Sequence, residues 1–218
     1  MKHSIKTLYS VWLAVAVSFS FVAFSAHAEP TAVELLAKRL KPMESLTAAF
    51  SQTITDDRNE LMQEAKGLLI VKRPRKFYWL TQQPYEHLVV TDGVVLWQYD
   101  IDLEQITKQA YTADLDKAPA LLLSGDIEQI SRQFQVEAES TDKLTTTFTL
   151  TPMAEDGLFK RLTIVFGPTM LASMSLLDNF EQLTDIQFSE VILNPRVPEQ
   201  QFEFIPPDDV DVIVNDES

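Results

Sequence analysis

The clearest pattern in the chain begins at residue 46. Leu46, Ala48, Phe50, Gln52 and Ile54 alternate with Thr47, Ala49, Ser51, Thr53 and Thr55. One face is largely apolar and the other small or polar, which is the period of a half-buried strand. Just before it the spacing is helical. Val33, Leu35, Leu36, Leu40 and Met43 predict an amphipathic helix over residues 31–43, with Pro30 suited to its start and Pro42 to its end. Strand patterns then recur at 67–73, 77–81, 87–91 and 94–99, with Asp92-Gly93 as a tight hairpin signal between the last two. Later strands are expected at 134–139, 144–150, 162–166, 171–177, 186–191 and 202–205. Residues 113–124 break this rhythm. They carry Leu115, Ala118, Ala120, Leu121, Leu122 and Leu123 and hold no β-branched residue, so one or two short helices are expected there. So many successive short strands imply a mainly β fold: an antiparallel sheet curled into a barrel-like shape. Two helical pieces covering its concave side would enclose an apolar space.

The N-terminus reads differently from the rest. Lys2 and Lys6 are followed by an apolar run over 8–24, interrupted by Ser10, Ser18 and Ser20, and then by Ala26-His27-Ala28. This is the layout of a cleaved secretory signal peptide over residues 1–28. A membrane anchor is the competing reading, but the run falls short of the roughly 20 apolar residues that a span needs. The mature chain is then expected to be one domain over 29–218, starting at Glu29. A lipid anchor would need Cys at that position. A soluble protein of the periplasm is expected, given a Gram-negative source.

Composition narrows the chemistry. The chain has no Cys, which removes thiol nucleophiles, disulfides and thiolate metal sites. Its net charge of −14 becomes −16 once Lys2 and Lys6 are removed, so nucleic acid is not an expected partner. Of the three His only His87 lies beyond residue 28, which is poor material for a catalytic triad or a metal site. Five Gly in 218 residues, with no phosphate-loop spacing, argue against a nucleotide cofactor. Asp56-Asp57, Asp114, Asp116 and Asp208-Asp209 sit in loop-like contexts and read as solvated surface. No enzyme activity, cofactor or metal is expected.

Two features do stand out. Lys72-Arg73-Pro74-Arg75-Lys76 is a basic run in an acidic chain. It reads either as a solvated turn or as the site of an inward Arg73 at the end of the Leu69/Val71/Arg73 face. An inward guanidinium needs acceptors, and the terminal carbonyls of a covering helix would serve. The second feature is Phe77 and Trp79 on one strand face. They read either as core or as the wall of a lipid-binding cavity.

The string Gly67-Leu-Leu-Ile-Val-Lys-Arg-Pro-Arg-Lys-Phe-Tyr-Trp79 resembles the V-K-R-P-x-x-F-x-W stretch of the periplasmic outer-membrane lipoprotein carrier family, LolA. The likeness continues through Phe50-Ser51-Gln52, Thr91-Asp92-Gly93 with Leu96-Trp97-Gln98-Tyr99, Leu150-Thr151-Pro152 and Phe202-Glu203-Phe204-Ile205-Pro206-Pro207, in order along the mature chain. The resemblance implies an incomplete antiparallel β-barrel under a helical lid, with an apolar cavity for the acyl chains of lipoproteins. It implies a monomeric carrier that takes outer-membrane-directed lipoproteins from an inner-membrane ABC transporter and passes them to an outer-membrane receptor lipoprotein. Arg73 would latch the empty lid. The cavity would be lined by Leu40 of the helix, Leu46 and Phe50 of the first strand, and Leu69 and Val71 of the second. Phe77 and Trp79 would continue the wall, with Leu121 and Leu122 in the lid. Ala120 stands where many members carry an aromatic residue after the Pro. The alternatives are a periplasmic sensor or chaperone for another lipid or a peptide on the same scaffold, and, less well supported by the residues, a lipid hydrolase.

Overall fold

The computed structural model describes residues 29–111, 122–124, 127–140, 144–154, 157, 159–168 and 170–215. Residues 1–28, expected to be a signal peptide, and most of the mid-chain helical segment expected over 113–124 lie outside these residues. One 12-stranded sheet dominates. Its first half is a meander of β1 (Ser45–Thr55), β2 (Leu61–Lys72), β3 (Lys76–Gln83), β4 (His87–Thr91), β5 (Val95–Asp100) and β6 (Gln105–Ala110). The second half is β7 (Phe134–Ser140), β8 (Thr146–Pro152), β9 (Phe159–Phe166), β10 (Leu171–Asp178) and β11 (Leu183–Leu193). The halves join where β11 pairs with β1, and β12 (Asp211–Asn215) adds to β6 at the far edge. The strand order β12-β6-β5-β4-β3-β2-β1-β11-β10-β9-β8-β7 has two free ends, so the curved sheet is an unclosed barrel.

Helix α1 (Ala32–Leu40) begins at a capping box. Thr31 Oγ1 accepts from the Glu34 backbone N–H, and the Glu34 carboxylate accepts from that of Thr31. The helix stops at Leu40, short of the expected 43, because Pro42 has no N–H to continue it. A second helix, α2 (Ile127–Gln133), was not foreseen. Its sequence IEQISRQ is too short and polar to show a periodic stripe, and Ile130 is its fully buried residue among those whose side chains are described. Both helices pack against β7 and against one another. At 122–124 the chain makes a short 3-10 turn with Leu122, Leu123 and Ser124 all buried.

Three expectations are corrected. Residues 202–205 are not a strand. Glu199–Phe202 forms a 3-10 turn that buries Phe202, and the flanking Pro198, Pro206 and Pro207 lack the donors a ladder needs. Strands β6 and β12 were absent from the sequence reading, since QITKQA and DVIVN are short and carry little apolar alternation. The sheet is also not wholly antiparallel, because β12 runs parallel to β6.

The registers of β1, β2 and β3 stack the key apolar residues in rows. Leu46, Val71 and Phe77 form one row, and Ala48, Leu69 and Trp79 the next. In the third row Phe50 lies opposite Gly67, and the Phe50 ring is stacked on Trp79 with centroids 3.9 Å apart. A Cβ on Gly67 would sit 2.8 Å from that ring and 1.9 Å from the Leu80 carbonyl oxygen. The glycine therefore makes room for the aromatic stack. Gly67→Ala is expected to lower unfolding stability by about 1–3 kcal/mol through forced displacement of backbone. Urea denaturation followed by circular dichroism measures this, and an unchanged midpoint would contradict the packing described.

Candidate functional site

The turn between β2 and β3 is the point where sheet and lid meet. Arg73 Nη1 donates to the carbonyl oxygen of Leu40 at 2.8 Å. That carbonyl belongs to the last turn of α1, whose final acceptors have no partner within the helix. A cation there also faces the negative end of the helix dipole. The same turn holds the chain at two further points through its backbone. Arg73 N–H donates to Glu44 O at 2.8 Å, and Arg75 N–H to Ser124 O at 2.9 Å. Ser124 also hydrogen-bonds Tyr111, whose hydroxyl is pushed above its ordinary pKa mainly by burial. The basic run is thus neither a purely solvated turn nor a single contact: it grips both α1 and the 122–124 turn.

On its other side α1 is tied to the second half of the sheet. Arg39 donates to Thr146 Oγ1 at 3.1 Å and, more weakly, to Gly167 O at 3.4 Å. The helix therefore bridges the two halves of the unclosed barrel, with one arginine at each side.

Beneath the lid lies one continuous apolar cluster. Leu40, Leu46, Phe50, Leu69, Val71, Phe77, Trp79 and Leu122 all belong to it. Eight of the nine residues expected to line a cavity are therefore brought together. Leu121 lies outside the described residues. Most of them are packed core, and only Trp79 among the eight keeps as much as 9% of its surface exposed. A cleft of about 230 Å³ opens onto this cluster. Phe77, Trp79 and Val89 form one wall, and Leu162, Met174, Leu176 and Ile186 the opposite wall. Phe77 and Trp79 thus belong to the core and to the cleft at once, because the apolar face that builds the core is the face that borders the empty space.

The opposite wall, on β9, β10 and β11, was missed by the sequence reading. The alternation of Leu162, Ile164 and Phe166 was a usable signal for an inward face. What a sequence does not display is that curvature brings that face opposite β3. His87 opens β4, half-buried, with burial lowering its pKa and Asp100 on the neighbouring strand opposing that shift. It is not among the cleft residues. Among the described residues no cluster of three or more His, Asp or Glu could hold a metal, and no helix is long and apolar enough to cross a membrane.

Replacing Arg73 by Leu removes a charged donor from a helix-end carbonyl, a loss of about 1.5–3 kcal/mol for such a bond. Amide hydrogen exchange over α1 is expected to accelerate while the sheet stays protected. Arg73→Lys is expected to fall between, since an ammonium cannot reproduce the guanidinium fork. Equal α1 protection in parent and Arg73→Leu would show that the bond does not hold the helix.

Comparison with known proteins agrees with this geometry. A family model described as outer membrane lipoprotein carrier protein LolA matches residues 41–205. Outer-membrane lipoprotein carrier proteins from Hahella chejuensis and Pseudomonas entomophila are 41% and 40% identical to the chain, each over 88% of it and 92% of the relative. One from Legionella pneumophila is 34% identical over 93% of the chain and 98% of its own length. Among solved structures, a LolA superfamily protein from Nitrosomonas europaea superposes with a TM-score of 0.52 at 11% identity. That match covers 81% of this chain and 99% of that one, and it bears on the fold alone. The chain belongs to the outer-membrane lipoprotein carrier protein family.

Proposed function

We propose that the protein is a periplasmic, non-enzymatic carrier. It receives the acyl chains of lipoproteins released from the inner membrane by an ABC transporter, and delivers them to a receptor lipoprotein at the outer membrane. The observation that carries this reading is the bond from Arg73 to Leu40 O, which closes a lid helix over a continuous apolar face. Family membership supports it through the names of the relatives.

Magnitudes decide how such a device works. An acyl chain in water exposes methylenes that each cost about 0.8 kcal/mol, so ten of them amount to about 8 kcal/mol. That exceeds the roughly 1.5–3 kcal/mol of one charged hydrogen bond. Cargo therefore outcompetes the latch, and the remaining cost of opening is repacking of α1 and the 122–124 turn. The same cost favours release, because the emptied lid closes on its own residues and lowers the net affinity for cargo. In this scheme Arg73 serves as the latch. Leu40, Leu46, Phe50, Leu69, Val71, Phe77, Trp79, Leu121 and Leu122 become the cavity wall when the lid lifts. The cleft bordered by Trp79 is the nucleus from which the cavity grows.

Trp79 and Trp97 are the two tryptophans beyond residue 28. In a Trp97→Phe background, titration with a diacylated lipopeptide is expected to shift Trp79 emission. Filling the cleft with Leu176→Trp is tested separately by direct isothermal titration of the same lipopeptide. It is expected to weaken binding by about tenfold, which corresponds to about 1.4 kcal/mol, with little change in melting temperature. Unaltered affinity in a folded Leu176→Trp protein would separate the cleft from acyl binding. Retention of a free fatty acid or a peptide with no uptake of the lipopeptide would favour a sensor or chaperone instead.

A further inference from the structure

A second feature of the molecule is polar and lies outside the lid. Between the end of α1, the β2–β3 turn and the end of β11 runs a groove of about 830 Å³. Five of the chain's 18 Lys and Arg line it: Lys41, Lys72, Arg73, Arg75 and Arg196, against one acid, Glu44. In a chain of net charge −14 this is a concentrated positive site. A concave wall of one sign focuses its field on whatever enters.

The groove is also preformed. Asn194 accepts at Oδ1 from the Glu44 and Ser45 backbone N–H groups at 2.8 and 3.2 Å, and donates through Nδ2 to Pro42 O at 3.0 Å. Ser45 Oγ donates to Pro195 O at 2.8 Å. The loop after α1 is thereby fixed to the end of β11. Of the five cations, Lys72 is paired with Glu199, and Arg73 holds Leu40 O. The side chains of Lys41, Arg75 and Arg196 make no ion pair among the described residues. Glu199 shows how an acid sits on this surface, since one carboxylate accepts from both Lys72 and Lys76.

The geometry points to this groove as the docking site for an acidic polypeptide segment of a partner protein, taken up by Lys41, Arg75 and Arg196 beside the latch. A recessed groove suits a chain of carboxylates better than a flat bilayer, and the acidic remainder of the molecule repels an anionic membrane. Docking there sets the partner against the Arg73–Leu40 bond. The inference rests on the carrier reading only for the partner's purpose.

The test uses a fluorescent peptide alternating Glu and Gly, its Gln counterpart, and phosphatidylglycerol vesicles. Anisotropy is expected to show the Glu peptide binding at low salt and weakening as salt rises, with the Gln peptide inert. In Lys41→Gln/Arg75→Gln/Arg196→Gln binding is expected to fall about tenfold, the scale of losing three partly screened charge pairs. Failure of the Glu peptide to bind, or equal binding by the triple variant, overturns the proposal. So does co-sedimentation with vesicles that the triple variant loses while the peptide is ignored, because the groove then reads lipid headgroups. Uptake of an uncharged apolar probe, measured on the same samples, stands apart: the triple variant is expected to match the parent. Loss of peptide binding with intact probe uptake leaves the carrier reading in place, whereas no probe uptake by the parent tells against that reading.

Discussion

The seating of α1 on this sheet depends on what the β2–β3 turn can reach. Its guanidinium holds the end of α1 through Leu40 O, and its backbone holds the 122–124 turn through Ser124 O. These are polar contacts at the edge of an apolar space, and they are weak beside the burial they control. The sheet leaves its concave face uncovered unless the helices lie on it, since the barrel does not close. The lid is therefore held by a large, non-directional apolar term and located by a small, directional polar one. Under the carrier function proposed above, cargo that supplies its own methylenes replaces the first term and leaves the second to be broken.

The unclosed barrel also explains why α1 is anchored at both sides. Arg39 reaches Thr146 and Gly167 in one half of the sheet, while Arg73 reaches back to α1 from the other. The outer surface of the first half is covered separately. Phe204 packs on Trp97 and Tyr99, and β12 then caps the β6 edge that would otherwise offer unpaired backbone groups. The C-terminal segment thus protects the sheet without entering the cleft.

Much of this was legible in the residues. The alternation from Leu46 to Ile54 marked β1 and its inward face, and Pro30 with the apolar spacing after it marked α1. Asp92-Gly93 marked a real turn: Gly93 adopts φ 95°, and Asp92 Oδ1 accepts from the Val94 and Val95 N–H groups. Arg73 was suspect because a cation closing an apolar face must find acceptors. Other elements carried no such signal. QITKQA forms β6 because β5 pairs with it on one side and β12 on the other, and that is tertiary context overriding a weak local pattern. Phe202 sat in a run that looked β, yet the prolines around it force a turn that buries the ring, and the turn packs against β3. The β9–β11 wall of the cleft was visible as strands but not as a site, because which faces meet is set by curvature. The basic groove was equally hidden, since Lys41, Arg75 and Arg196 are far apart in the chain.

The central claim is that acyl burial and the Arg73–Leu40 bond exclude one another. Spin labels at two exposed positions, Lys38→Cys on α1 and Val94→Cys on the β4–β5 turn, report the distance between lid and sheet by double electron–electron resonance. The account predicts a lengthened distance when the diacylated lipopeptide saturates the parent protein. It also predicts a population at that longer distance in ligand-free Arg73→Leu. A single unchanged distance in the loaded parent, with binding confirmed by isothermal titration of the lipopeptide, would contradict it.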